Sequence, residues 1–240
     1  MVTLGHLMTK AAANLAATSI TLKPLPQLIT LKPKLRGWIH LITAPLILAA
    51  GIVLIVLSPP IAGKVASAIF TGTALSLFIM SAIYHRGNWS SRIHGILRRI
   101  DHANIFLIIA GTYTPLAVFL LPQFAATVLL TIVWGGAFLG ILAHMFWITA
   151  PRWVYVPVYI ALGWVAIAYL GDFARYGSAA IVWLVISGGI AYTTGAVIYA
   201  LKKPNPSLKF FGFHEIFHAL TVVGVACHTI AIFLAAATAR

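Results

Sequence analysis

Negative charge is almost missing from this chain. Among 240 residues there are three carboxylates, Asp101, Asp172 and Glu215, against 16 Lys and Arg, and charged residues of both signs make up 8% of the total. Ordinary soluble domains carry about 25% charged residues. A soluble fold of this length cannot hide a composition that is 61% hydrophobic, so a bilayer must be part of the solvent. Cysteine is nearly absent too. Cys227 stands alone, which excludes a disulfide framework within the chain and a cysteine-rich zinc site. Stretches of alternating polarity, the mark of barrel strands, are lacking, so the spanning elements are expected to be helices. No nucleotide or redox motif is present. The formal net charge of +13 would suit nucleic acid, but the charges fall between apolar segments. That pattern points to orientation in a membrane and contact with anionic lipid head groups, with no nucleic-acid partner.

What is present is a series of seven apolar runs, each near the ~20 residues needed to cross a hydrocarbon core. They cover 38–57, 62–84, 101–121, 124–147, 153–171, 178–200 and 213–235. The expected fold class is therefore all-α, a seven-transmembrane helix bundle over residues 37–240. Pro-containing breakers such as Ser58-Pro59-Pro60, Leu121-Pro122-Gln123 and Lys203-Pro204-Asn205-Pro206 separate most of the runs. Trp38, Trp89, Trp147 and Trp153 flank them, as interfacial aromatic belts do. Residues 1–36 form a basic N-terminal arm with no acidic residue; its apolar patch, AAANLAATSI, is too short and too polar to span.

Basic residues set the expected orientation. With the N-terminus in the cytoplasm, 13 Lys and Arg fall inside and 3, Lys64, Arg175 and Arg240, fall outside. The expectation is a cytoplasmic N-terminus and an external C-terminus. The segment RGNWSSRIHGILRR, residues 86–99, reads either as an interfacial amphipathic helix or as a solvated connector.

Polar side chains inside spans are functional hypotheses by default. Span two ends in SAIYHRGNW, span three begins at Asp101 and span seven begins with HEIFH. Under the expected topology Ser81, His85, Asp101, His214, Glu215 and His218 share one membrane depth. Ser81 and His85 are four residues apart, as are His214 and His218, so each pair lies on one helix face. Three imidazoles from two helices with a carboxylate nearby suit a tetrahedral zinc with an open position. Asp101 could orient a water or take its proton, and Ser81 could hydrogen-bond to the site or to a developing oxyanion. HEIFH also matches the H-E-x-x-H signature of soluble metalloproteases, in which the glutamate is the base. The plainer alternative is that the i,i+4 histidines only bond across helices. His228 either lines a cavity below the site or bridges helices. His40 and His144 read as interfacial, Asn104 and Thr112 as supports for Asp101 or as packing, and Asp172 as a solvated outer-loop residue.

Ser81-x-x-x-His85, IDHANIFLIIAGTYTP at 100–115, HEIFH with the later His228, and KLRGWIHLITAPLILAAGIVL at the start of the first span together resemble the hemolysin III family. This is the bacterial branch of the progestin and adipoQ receptor family, within a wider group of seven-helix membrane hydrolases that includes alkaline ceramidases. The resemblance covers nearly all of the chain from Lys34. It implies a seven-helix protein of the bacterial inner membrane holding one Zn2+ on His85, His214 and His218, with Asp101 contacting the metal through water and Ser81 beside it. It implies hydrolysis of a lipid-like amide or ester. The family's name offers a membrane-permeabilising protein as an alternative, and its receptor branch offers a sensor with structural zinc. Related receptors do not need a glutamate between the two histidines, so the resemblance favours Asp101 over Glu215 as the base.

Overall fold

In a computed structural model of the chain, the described residues are 33, 35–147, 151–207 and 209–239. The N-terminal arm expected over 1–36 lies mostly outside them. The described residues belong to one compact unit, Pro33–Arg240. They are helical, in the order α1 (Trp38–Leu57), α2 (Ile61–Arg86), α3 (Ser91–Leu120), α4 (Gln123–Phe146), α5 (Arg152–Gly163), a 3₁₀ segment (Val165–Tyr169), α6 (Leu170–Tyr176), α7 (Ala179–Leu201) and α8 (Phe213–Thr238). Since α5, the 3₁₀ segment and α6 run on as one span, seven segments are long and apolar enough to cross a membrane. The protein is a multi-pass integral membrane protein with an all-α bundle.

Each helix shows lipid one face and the bundle another. In α1 the buried positions are His40, Thr43, Ala44, Ile47, Gly51 and Leu54, a stripe at the i, i+3, i+4, i+7 spacing of a helix face. Ile42 and Leu46, between them, are 61% and 65% exposed. Exposure of that size on so many helices would be a liability in water and is ordinary against acyl chains. The stripe of α2 ends on Leu77, Phe78, Ser81, Ala82 and His85, which turns the serine and the histidine inward. The most enclosed helix is α3: 72% of its apolar window is buried, against 22% in α4. It packs against α2, α4, α5 and α8, and α7 pairs with α8. All four belt tryptophans are exposed near helix ends.

Three boundaries differ from expectation. Helix α3 begins at Ser91, ten residues before the apolar run, so 91–99 is neither a separate surface helix nor a loop. Ser90 starts it by accepting a hydrogen bond from Ile93 N at 3.5 Å. Asp172 lies in the first turn of α6 rather than in a loop. Span five is broken after Gly163. There the Tyr113 hydroxyl, brought by α3, donates to Gly163 O at 2.6 Å and accepts from Ala166 N at 2.9 Å. Irregular backbone survives at membrane depth only where protein groups satisfy it, and one phenol does so here on both sides of the break. Trp164 Nε1 adds a bond to Thr193 Oγ1 on α7 at 2.8 Å.

Candidate metal centre

His85, His214 and His218 meet. One ligating nitrogen from each lies within 4.8 Å of the others, and His85 Nε2 and His214 Nε2 are 3.1 Å apart. A tetrahedral zinc with Zn–N of about 2.0–2.1 Å holds its nitrogens about 3.4 Å apart; the His85–His214 pair is near that spacing, and one nitrogen of His218 lies within 4.8 Å of the other two residues' ligating atoms. The donor chemistry fits as well. Neutral imidazoles suit zinc, and His218 is 1% exposed with its Nδ1 lacking any hydrogen-bond partner. Two of the imidazoles come from one face of α8 at i and i+4 and the third from the last turn of α2.

Asp101 approaches the cluster from α3. Its Oδ2 is 3.9 Å from His85 Nε2, and the Ser81 side chain pairs with its carboxyl group. Ser81 lies on the buried face of α2 one turn before His85. His40 lies flat against His218, with ring centroids 4.0 Å apart and planes 11° apart, and edge-on to Phe78 at 5.0 Å.

The remaining polar residues sort by their contacts. Glu215 is fully buried, and both of its oxygens are engaged. Oε1 accepts from Arg36 Nε at 2.8 Å and Oε2 accepts from Gly212 N at 2.9 Å. A carboxylate held at both oxygens is a helix cap and ion-pair partner, not a free base, which separates this HEIFH from the soluble protease pattern. His228 does both things expected of it: it lines the cavity described below and places Nε2 3.3 Å from Val185 O on α7. Asn104 packs helices together, accepting from Ser76 Oγ at 2.7 Å, while Thr112 donates to its own helix at Ile108 O. His40 and His144 are 2% and 9% exposed, so neither is an interfacial residue. His144 stacks on His102 at 5.0 Å with planes 15° apart. His102 in turn sits 3.4 Å from the Tyr199 hydroxyl, and the Tyr199 ring meets His214 at 5.5 Å.

The cluster stands at one end of a largely apolar cavity. Ser81, Asp101, His214 and His218 line that end; Leu116 and Leu170 line the other. From Asp101 to Leu116 the wall follows α3 for roughly 22 Å at 1.5 Å per residue. The cavity volume is about 130 Å³, far above the minimum for one water.

The sequence alone does not single out Arg36, His40 or Tyr199 as site residues. For Arg36 a signal existed: a glutamate inside a span needs a cationic partner, and Arg36 is the basic residue immediately before span one. For the two aromatic contacts no one-dimensional signal exists.

Comparison with known proteins agrees with this architecture. A family profile described as "Haemolysin-III related" matches residues 29–229. A protein of Bacillus subtilis (strain 168) named "Hemolysin-3 homolog" is 34% identical over 161 residues, 66% of this chain and 71% of that protein. "Hemolysin-3" of Bacillus cereus is 29% identical over 190 residues, 78% of this chain and 84% of that protein. The bacterial inner membrane is the usual place for such proteins. A match over most of the chain, at the same helices that build the histidine cluster, means that the protein belongs to the haemolysin-III-related family.

Proposed function

We propose that the protein is an intramembrane zinc hydrolase acting on the amide or ester bond of a lipid-like substrate. One observation carries the reading: three imidazoles and a carboxylate converge at the end of a long apolar cavity. The cavity's length and lining suit an acyl chain, with the scissile carbonyl brought to the polar end.

His85, His214 and His218 would hold the metal. Bound zinc supplies Lewis acidity and makes a water acidic enough to ionise near neutral pH. Asp101 takes the proton of the attacking water at a carboxylate oxygen and returns it to the departing amine or alcohol as the C–N or C–O bond breaks. Ser81 holds the Asp101 carboxylate in place. The apolar walls exclude bulk water and fix the chain, so that the carbonyl meets the site in one orientation.

Two relatives carry the name hemolysin, which prompts a permeabilising reading. A water-filled pore needs a polar lining, and this cavity is walled mostly by aliphatic and aromatic side chains. The test combines metal analysis of the purified protein with fatty-acid release from a long-chain ceramide and a long-chain acyl ester. About one zinc per chain and turnover, both lost in the His85→Ala, His214→Ala, His218→Ala triple variant, are expected. Metal-free protein with intact helices sinks the reading. Tightly held metal without turnover of any amide or ester replaces it with a sensor holding structural zinc.

A further inference from the structure

Apart from the histidine rings themselves, the helices that carry the three imidazoles make little contact with each other. His85 belongs to α2, and His214 and His218 belong to α8. Among the described residues α2 and α8 have no substantial direct backbone packing, whereas α1 and α3 each pack against both. The 3.1 Å separation of His85 Nε2 and His214 Nε2 is therefore set through neighbouring helices.

The entry to α1 grips both ligand helices at the level of the ligands. Gly37 takes a left-handed conformation, φ 80°, and a Cβ there would stand 2.9 Å from Arg86 Cγ and 3.1 Å from His85 Cβ. The backbone thus lies directly on the last turn of α2, and only glycine combines that φ with so close an approach. One residue earlier, Arg36 reaches across to α8. Its Nε donates to Glu215 Oε1 at 2.8 Å, a contact spanning 179 residues of sequence. Glu215 sits between the two α8 ligands in sequence, and its other oxygen accepts from Gly212 N, closing the first turn of the helix. The Glu215 side chain has no solvent exposure and the Arg36 side chain has 22%. A buried carboxylate of this kind keeps its place only while its cation is there.

We propose that Arg36 and Glu215 are a positioning pair for the metal centre, their ion pair fixing the distance between the α2 and α8 ligands. The inference rests on the zinc-site reading above and goes beyond it. Neither residue touches the metal or the substrate; each acts through the imidazoles next to it. Arg36 is suited to the task because its planar guanidinium loses less freedom than an ammonium for each bond it makes.

The experiment measures the rate of zinc transfer from purified protein to a competing chelator, together with the visible spectrum of the Co2+-substituted protein. The variants are Arg36→Gln, Glu215→Gln, the double variant, the conservative Arg36→Lys and a control, Ser58→Ala. Ser58 bonds Ser67 at 2.7 Å at the opposite end of the α1–α2 contact, so its loss weakens the bundle without touching the site. Each single Gln variant is expected to release zinc about tenfold faster, as loss of an outer-shell partner does, and to shift the Co2+ spectrum. The double variant is expected to be no worse than the worse single, because the two residues form one unit. Arg36→Lys should fall between wild type and Arg36→Gln, and Ser58→Ala should lower Tm with unchanged zinc release. Unchanged release in both Gln variants, or additive effects in the double variant, overturns the proposal. So does acceleration by Ser58→Ala equal to theirs, which would make general stability the cause. If a Gln variant does not fold, Arg36→Lys decides: wild-type release and spectrum overturn the proposal. A wild-type protein that binds no metal sinks the zinc reading and this inference together; a metal-binding wild type with indifferent variants sinks this one alone.

Discussion

His40 of α1 lies flat on His218 of α8, with ring centroids 4.0 Å apart and planes 11° apart. In the proposed metal site His218 must hold one ring orientation, and the packing that does so comes from a second, buried imidazole. Removing that ring leaves a void beside the ligand. His40→Ala should cost about 3 kcal/mol of stability, comparable to other ring-to-alanine changes in cores. His40→Phe, which keeps the stack, should cost under about 1.5 kcal/mol. Thermal unfolding in detergent measures both, and equal losses would mean that the ring's shape is not what matters.

The two carboxylates near the histidines should behave in opposite ways. Asp101→Asn should lower kcat by a hundredfold or more, on the order of the usual loss of a general base, with zinc content unchanged. Glu215→Gln should lower kcat far less at saturating zinc, since both Glu215 oxygens are already engaged by Arg36 and Gly212 and neither is free to act as the base, while its Tm falls. Turnover surviving in the first variant and vanishing in the second would transfer the role of base to Glu215.

Tyr113→Phe tests the break in span five. The phenol serves Gly163 O and Ala166 N together, so its loss strands two backbone groups away from water. The expected cost is about 2–6 kcal/mol, from roughly 1–3 kcal/mol for each of the two unsatisfied groups. Hydrogen exchange should accelerate over 163–169 and not in α2. Uniform acceleration would show that the hydroxyl has no local role.

Orientation can be read with a membrane-impermeant maleimide on a Cys227→Ala background. With the N-terminus in the cytoplasm, Gln123→Cys is labelled in intact cells and Lys203→Cys is labelled only after permeabilisation. The reverse pattern would invert the assignment made from the 13-to-3 distribution of basic residues.

Much of the fold was legible one segment at a time. A helix in lipid satisfies its own backbone, so apolar length and breakers were enough to place α1 at 38–57 and the other spans to within a few residues at most ends. Helical spacing was enough to put Ser81 with His85, and His214 with His218, on common faces. The exceptions have non-local causes. The run WVYVPVYIALGWVAIAYLGDF reads as one helix, yet it breaks where a tyrosine 50 residues away supplies the missing partners. The helix through 91–99 continues α3 although its charges end the apolar signal, because polar residues keep a helix once Ser90 caps it. His144 read as interfacial from its depth, but depth along the membrane normal does not tell whether a side chain faces lipid or the bundle.

Composition and periodicity alone determined that this chain enters a membrane, crosses it as seven helices and carries histidines at helical spacing near two helix ends, because those properties depend on residues within a few turns of each other. Only the tertiary structure decided that the imidazoles of α2 and α8 point at one another, that Glu215 is committed to Arg36, and that a cavity runs from the cluster along α3. Those outcomes depend on how helices distant in sequence rotate and pack, and no property of a single segment carries that angle.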